Sequence, residues 1–126
     1  MKKALKVMTI LGTRPEIIRL SCILPKMDTY FDHILVYTSQ SYSPELSTVF
    51  FKNLKLRKPN YVLDVKSETL GSLIANILKQ SEEVMIKEKP DALLILGDTN
   101  STLSAIIAKR MKIPIFHMEA GNRSFD

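Results

Sequence analysis

The chain has 126 residues, of which 45% are apolar and 25% charged, and a formal net charge of +5. That length fits one ordinary domain, and the balance is that of a soluble globular protein. No apolar run approaches the roughly 18 residues that a membrane span needs. The cationic N-terminus runs into Lys6 and Thr9 without a small-x-small cleavage site, so it reads as a first buried strand and not as a secretory leader. The one cysteine, Cys22, cannot close an internal disulfide, which points to a reducing cytoplasm. Its place in an apolar helical stretch reads as an inert core thiol. The basic balance admits a nucleic acid, an acidic membrane surface or an anionic small substrate. Only "KLRK" (55–58) and "KRMK" (109–112) are clustered, and neither interleaves aromatic residues, which argues against a nucleic-acid platform.

In chain order, "ALKVMTIL" (4–11) reads as a strand. "PEIIRLSCILPKM" (15–27) places Ile17, Leu20, Leu24 and Met27 at helical spacing. Pro25 inside that stretch should end or kink the helix near Ser21–Leu24. "DHILVYTS" (32–39) is a second strand, and "SPELSTVFFKNL" (43–54) a helix with a serine cap and a proline in its first turn. "YVLDV" (61–65) is a short strand. A long helix follows over 69–89, with Leu70, Leu73, Ile74, Ile77, Leu78, Val84 and Met85 as its inner face. "DALLILG" (91–97), a helix over 99–112 and "PIFHMEAG" (114–121) complete the alternation. Fully apolar strands alternating with helices predict an α/β fold with a parallel sheet covered on both faces. Right-handed crossovers favour a doubly wound sheet in the order 3-2-1-4-5. Residues 1–126 read as one domain. No covering helix follows the last strand, so the chain reads as the front part of something larger or as a domain cut at a boundary.

In such a sheet ligands bind beyond the carboxyl ends of the strands, where the order reverses. Three loops with unusual polar content follow strand ends. In the first, Thr13-x-x-Glu16 matches a capping box, Pro15 suits a first helical turn, and Gly12 permits close approach of a ligand. Capping accounts for every residue there except Arg14, whose guanidinium suits a phosphate. In the second, Asp98 is either an N-cap or a candidate acid or base, and Thr99, Asn100 and Ser101 are further candidate caps. The third carries His117, Glu119 and Arg123. His117 reads as a core histidine or a site residue, and Glu119 either pairs with Arg123 or Arg14 or does chemistry, since a lone buried carboxylate is costly. The only other histidine is His33, so a zinc site is disfavoured. No G-x-G-x-x-G or G-K-[ST] is present, which counts against dinucleotide and P-loop binding.

"GTRPE" after the first strand, "LGDTNS" after the fourth and "HMEAGNR" after the fifth together resemble the non-hydrolysing UDP-N-acetylglucosamine 2-epimerase family. The resemblance implies a two-domain GT-B fold, with this chain as its N-terminal Rossmann-like half. "VMTILGTRPEIIRLS", "FDHILVYTSQSY" and "PIFHMEAGNRSFD" look closest to the branch that makes UDP-N-acetyl-L-fucosamine from the 6-deoxy-L-talose epimer for capsule or O-antigen. Arg19 stands where the better-known branch has a lysine, and Gly121-Asn122-Arg123 where it has "GLR". The implied reaction inverts C2 by eliminating UDP and adding it back, with no nicotinamide or metal cofactor. Asp98 and Glu119 would be its carboxylates and His117 a supporting catalytic residue. Arg14 would meet the diphosphate, assisted by Arg19; Gly12, Thr13 and Gln40 would line the cleft, and Arg123 would orient Glu119. The expected partners are a UDP-sugar and, in full-length form, a second copy in a homodimer, with no nucleic acid and no membrane. The family's later residues and second domain lie beyond this chain, so it alone is expected to be inactive. A GT-B glycosyltransferase, a hydrolysing epimerase and a truncated fragment remain alternatives.

Overall fold

The computed structural model describes residues 5–12, 14–39, 49, 51–65, 68–96 and 103–118. Within them, β1 (Lys6–Leu11), β2 (Asp32–Ser39), β3 (Tyr61–Asp64), β4 (Ala92–Leu96) and β5 (Ile115–Met118) form one sheet in the order β3-β2-β1-β4-β5. All four pairings are parallel, as the apolar strands predict. β1 runs beside β2 from Lys6↔Asp32 to Leu11↔Tyr37 and beside β4 from Val7↔Ala92 to Ile10↔Ile95. The strand order therefore reverses at β1.

The strands' two-residue alternation divides the core into two layers. Met8, Ile10, Ile34, Val36, Leu93 and Ile95 face one side. There they join Ile77, Val84 and Met85 of α3 (Leu70–Glu88) and Ala108 of α4 (Ser104–Arg110). Leu11, Leu35, Tyr37 and Leu96 face the other side. They meet Ile17 and Leu20 of α1 (Arg14–Leu20), Leu24 of α2 (Leu24–Tyr30) and Phe51 of the helical residues 51–53. The rings of Tyr37 and Phe51 meet edge to face at 5.5 Å. The start of that helix, 43–48, lies outside the described residues.

Pro25 divides the first helical stretch as expected. α1 ends at Leu20, a turn spans 21–23, and Pro25 falls in the first turn of α2, where its missing N–H costs nothing. The sequence reading of Cys22 as a core thiol is corrected by this break: Cys22 stands in the turn and is exposed. Leu70 is also misassigned, being 65% exposed. Residues 68–72 are all exposed, so α3 joins the packed layer only from Leu73 onward. Conversely Ser81, four residues after Ile77 on the inner stripe, is fully buried.

On the α1/α2 side, Leu5, Val7, Met27, Leu94 and Phe116 line an apolar groove across β1, β4 and β5. The crossovers through α3 and α4 pass on the opposite side, as right-handed connections to β4 and β5 require. No described element covers the groove, and Phe116 remains 61% exposed.

Three described non-glycine residues have positive φ, and all are lysines: Lys55 (59°), Lys89 (48°) and Lys112 (61°). Each closes a helical segment before a strand. At Lys112 the backbone forms a Schellman cap, with Ile113 N–H donating to Ala108 C=O at 2.9 Å and Lys112 N–H to Lys109 C=O at 3.1 Å. A β-carbon in this conformation costs roughly 1–2 kcal/mol. Lys112→Gly is therefore expected to stabilise the chain by about 0.5–1 kcal/mol in urea melts, after the added entropy of the unfolded state. Lys112→Ala, which keeps the β-carbon, should give no such gain.

Candidate functional site

The strand ends that precede the three polar loops lie side by side. Leu96 pairs with Met118, and Ile10 with Ile95, so β1, β4 and β5 reach a common rim at their carboxyl ends. Leu11, Leu96 and Met118 pack in one apolar cluster beneath it. This is where an open parallel sheet with its reversal at β1 places a ligand crevice.

Gly12 is buried at the end of β1, and its N–H donates to Glu16 Oε1 at 2.6 Å. The sequence predicted that Glu16, third residue of α1, would reach back to cap its own helix. It does reach back, to the N–H of Gly12; Thr13, the expected partner, lies outside the described residues. Glu16 is only 3% exposed, so this bond holds a carboxylate under the turn. The preceding carbonyl, of Leu11, accepts from Thr38 Oγ1 of β2 at 3.4 Å. Side chains of α1 and β2 thus hold the last peptide of β1 from both sides. Neither Glu16 as a buried anchor nor Thr38 was singled out from the sequence. The capping-box spacing was the available signal for Glu16.

Among the expected site residues, Arg14 begins α1 directly after this turn. Arg19 is exposed in the last turn of α1, about 7.5 Å further along the axis at 1.5 Å per residue. His117 lies on β5 beside Ile95 and is exposed, on an edge strand, in place of the core position considered from sequence. Thr13, Gln40, Asp98, Glu119 and Arg123 lie outside the described residues. Among the described residues no three His, Cys, Asp or Glu side chains gather as a metal site, and no helix is long and apolar enough to cross a membrane.

A second constellation has the outline of a catalytic relay. Asp28 Oδ1 lies 2.8 Å from His33 Nδ1, and His33 Nε2 lies 2.7 Å from Thr9 Oγ1. Thr9 is fully buried in mid-strand, so no substrate reaches its hydroxyl. Arg57 completes a clip: Nε donates to Asp28 Oδ2 at 2.9 Å, Nη2 to the His33 carbonyl at 3.0 Å and Nη1 to Asn60 Oδ1 at 2.9 Å. The group joins α2, β1, β2 and the approach to β3, and it satisfies polar groups inside the layer. Burial pushes His33 below its ordinary value of 6.5, against the pull of Asp28. Burial works to raise Asp28, but the hydrogen bonds from Arg57 and His33 and the Arg57 charge outweigh it and hold the carboxylate below 3.8. At the amino ends of β1 and β3, Glu88 binds both Tyr61 Oη and Lys6 Nζ. The Tyr61 hydrogen bond leads in holding Glu88 low, and the same bond raises Tyr61.

The sequence model of a family described as UDP-N-acetylglucosamine 2-epimerase matches residues 25–126. A UDP-N-acetylglucosamine 2-epimerase of Methanocaldococcus jannaschii is 44% identical over 124 residues, which cover 97% of this chain and 34% of that protein. A UDP-2,3-diacetamido-2,3-dideoxy-D-glucuronate 2-epimerase of Pseudomonas aeruginosa is 39% identical over 125 residues, covering 97% of this chain and 35% of that protein. The solved structure of UDP-N-acetylglucosamine 2-epimerase from Rickettsia bellii superposes with a TM-score of 0.85 at 56% identity, covering 98% of this chain and 33% of that one. The M. jannaschii enzyme in complex with UDP-GlcNAc and UDP superposes with a TM-score of 0.84 at 42% identity, covering 97% and 34%. The chain thus spans about a third of the length of these relatives.

The His33 clip has a pH signature. A histidine whose folded value lies below its unfolded one leaves stability intact above pH 6.5 and removes it as pH falls below that point. Asp28 adds a further loss below pH 3.8. Urea melts of the chain are expected to show stability declining from pH 6.5 downward. His33→Gln should cost about 2 kcal/mol at pH 7 through buried groups left unpaired, and should flatten the dependence between pH 5 and 7.

Proposed function

Since the chain belongs to the UDP-N-acetylglucosamine 2-epimerase family, we propose that it forms the N-terminal domain of an enzyme that inverts C2 of a UDP-N-acetylhexosamine. The fold is the Rossmann-like half that the GT-B epimerases carry at their N-terminus. The supporting observation is the common rim of β1, β4 and β5, because the loops that continue from it carry Arg14, Asp98 and Glu119. The remaining two thirds of the relatives' length would supply the opposite wall of the cleft.

The chemistry follows from the substrate. The C2 proton of a sugar is not acidic while C1 keeps its bond to the diphosphate oxygen. As that bond breaks, positive charge develops at C1 and C2–H becomes removable. UDP leaves with the bonding pair, the C2 proton passes to a base, and a 2-acetamidoglycal remains. Return of the proton to the other face of C2 and of the diphosphate to C1 gives the epimer. Asp98 and Glu119 move the proton and offset the positive charge, the roles that paired acids take in glycoside cleavage. Arg14 takes up charge on the departing diphosphate, with Arg19 as a second cation. Gly12, Thr13 and Gln40 line the site, His117 supports it, and Arg123 orients Glu119. No nicotinamide or metal enters this scheme.

Two sugar pairs fit. The complex of the M. jannaschii relative holds UDP-GlcNAc, which favours the GlcNAc/ManNAc pair. The sequence resemblance favours the 6-deoxy-L-talose/L-fucose pair. Either product would serve capsule or O-antigen synthesis in the cytoplasm, from a homodimeric parent enzyme.

The test is solvent exchange. The full-length parent, given each UDP-sugar in heavy water, is expected to incorporate deuterium at C2 of both epimers; a glycosyltransferase would incorporate none. Turnover by the 126-residue chain alone would overturn the two-domain reading. In the parent, Arg14→Ala should weaken UDP binding by about tenfold, the loss of roughly 1.4 kcal/mol of charge-assisted contact. Asp98→Asn should leave UDP binding within about threefold and abolish exchange.

A further inference from the structure

Two runs that lead into strands share one order of residues: Lys58-Pro59-Asn60 before β3 and Lys89-Pro90-Asp91 before β4. Continued back by one residue, the registers Val36↔Tyr61 and Val7↔Ala92 set Leu35 opposite Asn60 and Lys6 opposite Asp91. The contacts at the two places match. Asn60 N–H donates to the Leu35 carbonyl at 2.7 Å, and Asn60 Oδ1 accepts from the Leu35 N–H at 2.8 Å. Asp91 N–H donates to the Lys6 carbonyl at 2.7 Å, and Asp91 Oδ2 accepts from the Lys6 N–H at 2.8 Å. One residue thus takes both polar backbone groups of the residue it faces. The entry to β5 shows what has been replaced. There Leu93 faces Ile115, and its N–H donates to the carbonyl of the preceding Pro114 at 2.9 Å, main chain to main chain. At β3 and β4 a side-chain oxygen stands in for the proline carbonyl.

We infer that Asn60 and Asp91 are register clasps: each pins the entry of its strand to the neighbouring strand by supplying a side-chain oxygen in place of a main-chain carbonyl. Each run admits one alignment. A shift by one residue would bring into the clasp position either a proline, which has no N–H to donate, or Tyr61 and Ala92, which have no short acceptor. The same shift would turn the apolar set of the strand to the other face of the sheet. The acceptor oxygen is what the position needs, since an amide does at β3 what a carboxylate does at β4. These two pairings need the help most. β3 is four residues long and lies at the sheet edge, and β4 meets β1 only after a long stretch of intervening chain, with no short connection to align them.

Asp91 gives the cleaner test, because Asn60 Oδ1 also accepts from Arg57 Nη1 at 2.9 Å. Both clasp residues are exposed, so truncating them leaves the core layers filled. Hydrogen–deuterium exchange on the full-length parent, resolved residue by residue, reads the two amides. Both lie far in sequence from the substituted residue, so their intrinsic exchange rates are unchanged. Asp91→Ala is expected to speed exchange at Lys6 about tenfold and to leave Leu35 within about twofold of the parent. Asn60→Ala should do the reverse. Asp91→Asn and Asn60→Asp keep an acceptor at the same reach and should hold both amides within about threefold of the parent. The inference is overturned if Lys6 exchanges in Asp91→Ala as it does in the parent. It is equally overturned if Asp91→Asn is as fast as Asp91→Ala, which would make the charge the active feature, or if either truncation speeds both amides alike, which would mark a general loosening of the sheet.

Discussion

The interaction on which this molecule depends is the parallel pairing of β1 on both of its edges. β1 has five consecutive buried residues after Lys6, with β2 on one edge and β4 on the other. A strand in that position has no solvent for its amides, so its hydrogen bonds must all be made by neighbours. Its two edges also face chain segments far apart in sequence, which makes β1 the place where the winding direction reverses. Among the described strands, β1 has its carboxyl end between strands from both halves of the sheet, β2 and β4. A binding crevice at that point is a consequence of the winding, before any side chain is considered.

The two ends of the sheet are held differently. At the amino ends, Arg57, Asp28 and His33 tie α2 to β2, and Glu88 ties α3 to Lys6 and Tyr61. At the carboxyl end of β1 the described links are Glu16 to Gly12, and Thr38 to Leu11. The first group ties helices to the strands, and the second holds the last peptide of β1. The Asp28–His33–Thr9 chain illustrates how a relay geometry arises for structural reasons: a hydroxyl and a ring buried in one layer satisfy each other.

Much of the fold was legible because two signals are local. Continuous apolar strands such as Leu93–Leu96 require burial on both faces, and Pro25 interrupts a helix wherever the rest of the chain goes. Less legible were features set by how far an element overlaps its neighbours. Leu70 and Ile77 share one helical stripe, yet only Ile77 is covered, because the first turn of α3 lies outside the packed layer. Cys22 looked internal by its apolar neighbours and became exposed once the helix broke around it.

The sequence alone determined the strand order, the two-sided core and the family, since periodicity, crossover handedness and three spaced motifs are properties of the chain itself. The site was legible only as residue types in loops. Tertiary structure decided which backbone group each buried polar side chain takes: Glu16 takes the N–H of Gly12, and His33 lies between Asp28 and Thr9. The reason is physical. A polar group sealed from water must pair with whatever the packing of other elements brings within about 3 Å, and no reading of local spacing contains that distance.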